Sequence, residues 1–434
     1  MKSKWLVALV LLANVARAWA WGEPHAYISQ TAVDLLPAWQ KPLLGDQVKP
    51  FVDHYCIYPD MAFKPEAKPY IMTPPTGVKA LLHLPAGMEQ NKLVFDYYLP
   101  RAIALFREGN AVEAMKYFGC AAHYIEDSSC PSHMSYGEVA VPEGAQMLSQ
   151  IDYISRLMPL PEQTRMEWFH SRIDHCPFTL AQLKAAVKSH RPRLLGTSTE
   201  ELIFNVVEQH YQMNQRAQRH LIPMLEALGA NDMGKFKAHG VAAATESARL
   251  LTDVFYTVLC IAKNRLDTPL PREVSLADFT PARGSPFAWS DKNHQGRFLR
   301  NASGSWFASV GEFKSLGRQP LKLKMDDGKV KTFKRGFGVG WRTEYTFLMP
   351  TNVFATFSVW VGNDAALGAG STNTFEVLVN GRSTATSAKM PGVEKPAQLL
   401  EVPLAGATNL TFRVKSECPP SSTHGVWAEP TLKK

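Results

Sequence analysis

The sequence predicts a multidomain protein in which an all-α domain precedes an all-β sandwich of the jelly-roll type. Between residues 21 and 266, apolar residues recur at three- and four-residue spacing, as in helices packed on a core. Beyond residue 270, short alternating runs separated by turn residues indicate antiparallel strands. Pro-containing segments between the two patterns interrupt any helix. We therefore expect a helical domain over residues 21–268, a linker over 269–283 and a β-domain over 284–434.

The individual helices and strands are predicted from the same two patterns, the three- and four-residue apolar spacing of helices and the alternation of strands. Apolar spacing predicts helices over residues 102–118, 199–221 and 234–263. Ser198 precedes the second helix as an N-cap, and acidic residues follow it at the positive end of the helix dipole. Alternation predicts strands over residues 346–349, 355–361, 374–379 and 410–414. The Asn380-Gly381 pair after the third strand is typical of a tight hairpin.

The composition is that of an ordinary folded protein. Of the 434 residues, 45% are hydrophobic and 20% are charged, which argues against disorder and allows a sizeable core. The formal net charge of +8 is mild for this length, so it permits attraction to anionic lipid or nucleic acid without requiring either. No run of roughly 20 apolar residues is present, so a transmembrane segment is not expected.

Residues 1–20 have the pattern of a secretory signal peptide. Lys2 and Lys4 precede an apolar stretch, and Ala18 and Ala20 supply the small residues that signal peptidase reads. Cleavage after Ala20 would make the mature protein secreted or periplasmic, and the alternative is an uncleaved anchor. The six cysteines would then meet an oxidising compartment, where disulfides are possible although their pairing cannot be read from the sequence.

Histidines are concentrated in the predicted helical domain, which contains 11 of the 13. His123 and Asp127 are four residues apart, so a helix would place them on one face within reach of a common ion. Pro131 would end that helix and allow a turn to bring His133 back beside the same face. A surface salt bridge explains such a pair equally well when the pair is taken alone.

Two further groups add potential ligands. His170 and Asp174 repeat the four-residue spacing. Trp21 would become the first residue after cleavage, with His25 four residues on, and a free α-amino group can coordinate a metal once deprotonated. The alternative for Trp21 is simple packing in the core. Taken together, the nitrogen and oxygen donors predict a multinuclear site that suits zinc.

In these positions the sequence resembles the zinc-dependent phospholipase C family and its relatives, the fungal-type single-strand nucleases. The resemblance covers roughly residues 21–263 and implies an all-α fold with three zinc ions. It rests on three motifs in the family's order: His-aromatic-x-x-Asp-x-x-x-Pro-x-His at His123, Tyr124, Asp127, Pro131 and His133; His-Ser-x-x-Asp/Glu at His170, Ser171 and Asp174; and a mature N-terminal Trp followed by His at Trp21 and His25.

The resemblance also implies how the ions are held. A first ion would be held by His123 and Asp127. Asp127 would bridge to a second ion, bound by His25 and by the amine and carbonyl of Trp21. The resemblance implies that a third ion would be held by His133, His170 and Asp174.

The family further supplies an aspartate and a histidine from the segment between these motifs. Asp60 and His83 are our choices, with Asp53 and His54 as rivals. Asp60 would orient the attacking water or act as its general base, as the resemblance implies. Cys130 stands where the family commonly has a glutamine.

The predicted β-domain resembles the carbohydrate-binding modules of the NPCBM type over about residues 284–432. The resemblance rests on residues 320–323, 334–339, 357–364, 375–381 and 424–432. It implies glycan binding through exposed aromatic rings, and the candidate platforms are Trp341 and Trp427. Trp427 alternatively belongs to the core, and Gly340-Trp341 stands where the family commonly has a histidine.

Together these features predict a secreted zinc-dependent phosphodiesterase of the phospholipase C type, which hydrolyses phospholipid head-group phosphodiesters with a metal-activated water and is targeted by a glycan-binding module. One alternative keeps the zinc site but takes single-stranded nucleic acid as substrate, which requires aromatic stacking for bases. A phospholipase requires an apolar rim instead. The aromatic residues available for either purpose are Tyr55, Tyr58, Phe63, Tyr70 and Trp168. A further alternative is a non-catalytic cell-surface glycan-binding protein with structural zinc only.

Overall fold

The computed structural model describes residues 21–73, 88–135, 158, 171–266, 270–283 and 313–434. The predicted signal peptide over residues 1–20 lies outside the described residues, as do His83, Trp168 and His170. Residues 284–312, at the start of the predicted β-domain, lie outside them as well.

The helical domain is built around one long central helix. Its described α-helices are α1 (Pro24–Leu35), α2 (Val48–Asp53), α3 (Met88–Arg107), α4 (Ala111–Asp127), α5 (Leu180–Val187), α6 (Thr199–Ala217), α7 (Leu221–Gly229) and α8 (Met233–Ala262). Short 3-10 turns follow α2 at Tyr55–Ile57 and Pro59–Met61, and another follows α4 at Pro131–Ser135. α8 packs against α1 and against α3 to α7, so its buried side forms the centre of the helical core.

The predicted helix over residues 102–118 is wrong, because the chain forms two helices there. α3 and α4 are separated at Gly109, whose φ of 81° lies in the left-handed region. Asn110 caps α4, and its side chain accepts a hydrogen bond from the backbone N–H of Glu113 at 3.2 Å. The apolar spacing concealed the break because both helices bury apolar side chains in the same core.

The other two predicted helices are confirmed. α6 begins after Ser198, whose hydroxyl accepts a hydrogen bond from the N–H of Glu201 at 3.2 Å, as an N-cap does. The predicted range 199–221 is too long, because α6 ends at Ala217 and a short 3-10 segment leads into α7. α8 differs from the predicted range 234–263 by one residue at each end.

The β-domain is a sandwich of two antiparallel sheets, as predicted. Its strands are β1 (Glu273–Ser275), β2 (Leu321–Lys324), β3 (Val330–Phe333), β4 (Gly336–Val339), β5 (Glu344–Leu348), β6 (Thr356–Asn363), β7 (Thr372–Val379), β8 (Arg382–Thr386), β9 (Met390–Pro391), β10 (Gln398–Pro403), β11 (Asn409–Ser416) and β12 (Gly425–Lys433). One sheet has the order β1-β12-β6-β10 with β4 also paired to β12. The other has the order β5-β11-β7-β8 with β9 paired to β7, and β2 pairs with β3.

The four strands predicted from alternation are confirmed as β5, β6, β7 and β11. The predicted hairpin at Asn380-Gly381 joins β7 to β8, and both residues have positive φ, 51° and 76°. Such a turn matches the right-handed twist of the flanking strands, so the local sequence sets the pairing of β7 with β8.

The predicted linker over residues 269–283 is wrong in part, since it contains structure that belongs to the β-domain. β1 pairs antiparallel with β12, the last strand of the chain. Leu276 and Ala277 are fully buried in the core between the two sheets. The prolines near residue 270 follow the helical domain, but the apolar residues after them, Leu276 and Ala277, are already part of the β-domain core.

Two features bear on the expected compartment. Within the described residues, no helix combines the length and the hydropathy needed to cross a bilayer. All six cysteines are free thiols, and five of them are buried. The disulfides that an oxidising compartment would permit are therefore not formed between these cysteines.

A glycine in α4 lets this helix pack closely against the turn that follows α2. A Cβ atom on Gly119 would lie 2.5 Å from the backbone carbonyl oxygen of Tyr55, closer than real Cβ contacts. Gly119→Ala is therefore expected to force the two segments apart and to lower the free energy of unfolding by about 1–3 kcal/mol, the typical cost of overpacking.

Gly234→Ala, near the start of α8, is the matched control, because its Cβ would meet only the Asp232 side chain at an ordinary 3.4 Å. Urea denaturation of both variants checks the prediction. If Gly119→Ala were as stable as the control variant, the close approach of α4 to Tyr55 would be disproved.

Candidate metal centre

Three segments of the helical domain bring potential metal ligands together. His25 lies in α1, Asp60 in the turn after α2, and His123 in α4. Their ligand atoms all lie within 4.8 Å of one another. The rings of His25 and His123 are stacked, with centroids 4.6 Å apart and planes inclined by 16°. Imidazole nitrogens and a carboxylate oxygen at this separation form a donor set that suits zinc.

Asp127, the last residue of α4, lies between the two imidazoles. Its Oδ1 is 3.2 Å from Nε2 of His25, and its Oδ2 is 3.2 Å from Nε2 of His123. Oδ2 is also 3.7 Å from Nδ1 of His133. Because the two oxygens of one carboxylate approach different histidines, the geometry suits the bridging role that the family resemblance implies for Asp127.

The local sequence accounts for this convergence. His123 and Asp127 are one helical turn apart and therefore share a face of α4. Pro131 begins the 3-10 turn that returns His133 to the end of the helix. All three side chains are buried, so they face the interior of the domain and not solvent.

The ring of His123 is held in one orientation by the backbone. Its Nδ1 lies 2.8 Å from the carbonyl oxygen of Cys56 and donates a hydrogen bond to it. The neutral ring then presents the lone pair of Nε2, which lies 3.7 Å from Oδ1 of Asp60. A hydrogen bond of this kind at the opposite nitrogen is what fixes a ligating histidine in metal sites.

The ring of His25 is held by Glu126, a residue that the sequence analysis missed. Oε2 of Glu126 is 2.6 Å from Nδ1 of His25, and Oε1 accepts a hydrogen bond from the Ser29 hydroxyl at 2.7 Å. Since both carboxylate oxygens are engaged, Glu126 orients His25 and does not serve as a ligand itself. With Nδ1 directed to Glu126, the buried Nε2 of His25 is the ring nitrogen that faces Oδ1 of Asp127, at 3.2 Å.

Buried negative charge makes this group fit a cation. Glu126 and Asp127 are fully buried in the last turn of α4, where the helix dipole is itself negative. Burial raises the pKa of Asp127, but His123 and His133 outweigh burial and hold that pKa well below its usual range. Burial lowers the pKa of His25, but its hydrogen bonds to Asp127 and Glu126 bring the pKa well above its ordinary value. The buried carboxylates therefore favour a positive charge at this group, which either protons on the histidines or a metal ion can supply.

Trp21 and Asp174 lie beside the 3-10 turn that follows α4. Oδ1 of the buried Asp174 accepts a hydrogen bond from the Ser132 hydroxyl at 2.6 Å, and its backbone carbonyl oxygen accepts one from the N–H of Gly22 at 3.0 Å. The ring N–H of Trp21 donates to the Ser129 hydroxyl oxygen at 3.0 Å, so the Trp21 ring packs in the core. Metal binding by Trp21 and Asp174 stays a prediction.

The structure brings Asp60, and not its rivals, to the histidines. The Asp60 side chain is only 2% exposed. Asp53 is exposed and forms an ion pair with Lys49, and His54 is exposed as well. His83, chosen together with Asp60, and His170 lie outside the described residues, so their roles stay predictions.

The two predicted sugar platforms differ in exposure. Trp427 is fully buried, with its ring stacked on Phe412 at 4.8 Å and edge-on to Phe375 at 5.2 Å. The prediction for Trp427 is therefore wrong, because alternation along β12 directs its side chain into the sandwich core. Trp341 is partly exposed after β4, with the Arg342 guanidinium 4.2 Å from its ring centroid, and stays a candidate.

Solved structures similar to this chain include two clostridial toxins and one carbohydrate-binding module. Alpha-toxin from an avian strain of Clostridium perfringens has 11% identity and a TM-score of 0.34, over 94% of this chain and 86% of that chain. Alpha toxin from Clostridium absonum has 10% identity and a TM-score of 0.35, over 96% and 95%. The CBM51-2 and INT domains of Clostridium perfringens ZmpB have 20% identity and a TM-score of 0.31 over 38% of this chain, which spans 32% of that structure.

Two protein families match the segments that carry the metal-ligand group and the sandwich. Residues 24–171 match zinc-dependent phospholipase C, and residues 287–433 match the NPCBM/NEW2 domain. No curated protein matches the chain. The helical domain is thus of the class of zinc-dependent phosphoric ester hydrolases. The match to zinc-dependent phospholipase C and the match to the NPCBM/NEW2 domain both fall in the segments where the motifs predicted them.

Replacing Glu126 tests how His25 is held. Glu126→Gln keeps the size of the side chain but replaces the charged carboxylate, which accepts the hydrogen bond from Nδ1 of His25, by a neutral amide. We expect zinc affinity to fall by about 10- to 100-fold, as when an orienting partner of a ligating histidine is lost. Competition with a fluorescent chelator measures the affinity directly.

Glu208→Gln is the matched control, because Glu208 is also buried but accepts hydrogen bonds from Thr280 and Gln212, outside the metal-ligand group. Its zinc affinity should equal that of the unmodified protein. Unchanged affinity in Glu126→Gln would show that His25 needs no orienting carboxylate.

Proposed function

We propose that this chain is a secreted zinc-dependent phosphodiesterase of the phospholipase C type, which hydrolyses the head-group phosphodiester of phospholipids with a metal-activated water. The observation that carries the proposal is the convergence of His25, Asp60 and His123, whose ligand atoms lie within 4.8 Å of one another. The match of this segment to zinc-dependent phospholipase C supports it.

The residues of the group have separable roles in such a reaction. Bound zinc would lower the pKa of a water ligand to about 7 and offset the negative charge of the phosphoryl oxygens. Asp127 would hold neighbouring ions through its two oxygens, while His25 and His123 would hold one each. Asp60 has a buried carboxylate beside His123, so it is also placed to orient the attacking water or accept its proton.

Lipid is the substrate that the surface near Asp60 supports. Phe63 follows Asp60 by three residues, and its side chain is 66% exposed. An exposed aromatic side chain close in sequence to the metal-ligand group suits contact with the apolar part of a bilayer. An exposed phenyl ring could also stack on a base, so the match of this segment to zinc-dependent phospholipase C is what favours lipid over single-stranded nucleic acid.

The remaining parts of the proposal extend the prediction from sequence. We infer three zinc ions, with the amine of a cleaved Trp21 as one ligand and with His133, His170 and Asp174 holding the third. The NPCBM domain would direct the enzyme to a glycan, with Trp341 as the stacking platform. Cleavage after Ala20 would deliver the protein to the periplasm or the exterior.

A substrate panel tests this function. Protein that begins at Trp21 is expected to hydrolyse a chromogenic phosphocholine ester and phosphatidylcholine vesicles, and to lose this activity when a chelator removes the zinc. Single-stranded DNA, offered in parallel, should not be cleaved.

The matched control is the same protein with an extra N-terminal tag, which blocks the α-amine and should reduce both zinc content and turnover. Cleavage of the DNA alone would replace the lipid proposal by the nuclease alternative. Turnover of no phosphodiester by zinc-loaded protein would favour a non-catalytic glycan-binding protein.

A further inference from the structure

A cleft that contains none of the predicted metal ligands lies where α6, α8 and the segment between α5 and α6 meet. Its volume is about 660 Å³. The side chains that matter for its chemistry are His190, Arg191, Arg193, Gln209, Arg216 and Arg249. Four guanidinium groups therefore line one concave surface, and the proposed hydrolysis makes no use of them.

A buried carboxylate fixes one wall of this cleft. Asp253 of α8 is fully buried, and its Oδ1 accepts hydrogen bonds from Nε2 of His190 at 2.8 Å and from the backbone N–H of Arg193 at 2.9 Å. Its Oδ2 accepts two more from Nε and Nη2 of Arg193, at 3.0 and 2.8 Å. All four contacts position cationic or polar groups at the mouth of the cleft before any ligand binds.

The opposite wall is built in a similar way. Nε of Arg216 in α6 donates to Oε2 of Glu246 in α8 at 2.5 Å, which orients the guanidinium across the gap between the helices. Arg249, one turn further along α8, makes no hydrogen bond or ion pair with any described residue. Because each guanidinium carries five donors, Arg193 and Arg216 keep further N–H groups after binding their carboxylates.

The charges of the cleft do not balance within the protein. Four arginines face only two carboxylates, Glu246 in the lining and Asp253 behind it. A planar guanidinium matches the oxygens of phosphate through paired hydrogen bonds, and it stays charged at any physiological pH. A polyvalent oxyanion would therefore complete the set of ion pairs.

We propose that this cleft is a binding site for a phosphate group, either free or in the head group of an anionic phospholipid. It is separate from the hydrolytic site, and it would hold the enzyme at an anionic surface or respond to phosphate released nearby. The inference goes beyond the proposed function, since it requires neither zinc nor turnover.

The test uses the full-length zinc-loaded protein and two probes. Calorimetric titration with inorganic phosphate measures free-anion binding, and sedimentation in the cold with phosphatidylcholine vesicles, with or without phosphatidylglycerol, measures head-group binding. Arg249→Gln is the main variant because Arg249 supports no internal contact, and Arg216→Gln is the second. Arg101→Gln is the matched control, because Arg101 is exposed on α3, outside the cleft, and its loss changes the net charge equally.

We expect either cleft variant to weaken the cleft-dependent binding at least about tenfold, since charge-assisted hydrogen bonds are lost, while the control variant binds as the unmodified protein does. Any phosphate held at the metal centre is common to all the proteins and cancels. If the cleft variants bind inorganic phosphate more weakly, the ligand is free phosphate. If only their binding to vesicles with phosphatidylglycerol is weakened, the ligand is a lipid head group. Equal behaviour of Arg249→Gln and Arg101→Gln, or no binding of either probe by the unmodified protein, would overturn the proposal.

Discussion

The carboxylate of Asp127, buried between the imidazoles of His25 and His123, is the constraint on which the helical domain depends. A buried carboxylate costs several kcal/mol unless opposite charge compensates it. The adjacent Glu126 adds a second buried negative charge, and the pKa of His25 is accordingly raised well above its ordinary value, because burial, which lowers it, is outweighed by the hydrogen bonds to Asp127 and Glu126. The segments that converge on the end of α4 therefore favour positive charge between them, and this links the fold to the chemistry that the family match implies.

The same helix supports both packing and ligand geometry. Gly119 allows α4 to approach the turn after α2, and the backbone of that turn supplies the Cys56 carbonyl that holds His123. One turn later in sequence, Glu126 reaches back to α1 and holds His25. The two rings are thus fixed by groups that are not ligands, so the donor atoms are arranged before an ion arrives. Such preorganisation is what a metal site needs in order to bind tightly and in one geometry.

Much of the fold and of the metal-ligand group could be predicted from the sequence, because both depend partly on the spacing of residues that are close together in the chain. The i, i+4 spacing of His123 and Asp127 placed both on one face of α4, and alternation found the strands of the sandwich. Long-range contacts carry no such signal: Glu126 looks like an ordinary acidic residue at a helix end, yet its partner His25 is 101 residues away. The buried position of Trp427 depends likewise on which face of β12 meets the other sheet. The break at Gly109 escaped because the apolar residues on either side of it, Phe106 in α3 and Ala114 in α4, pack in the same core.

The most direct test of the account is anomalous diffraction at the zinc absorption edge, from crystals of protein that begins at Trp21. The account predicts a strong peak in contact with Asp127 and with at least one of His25 and His123. Further peaks should mark the other two ions. A fully ordered helical domain with no zinc beside Asp127, or with zinc bound only at other residues, would contradict it.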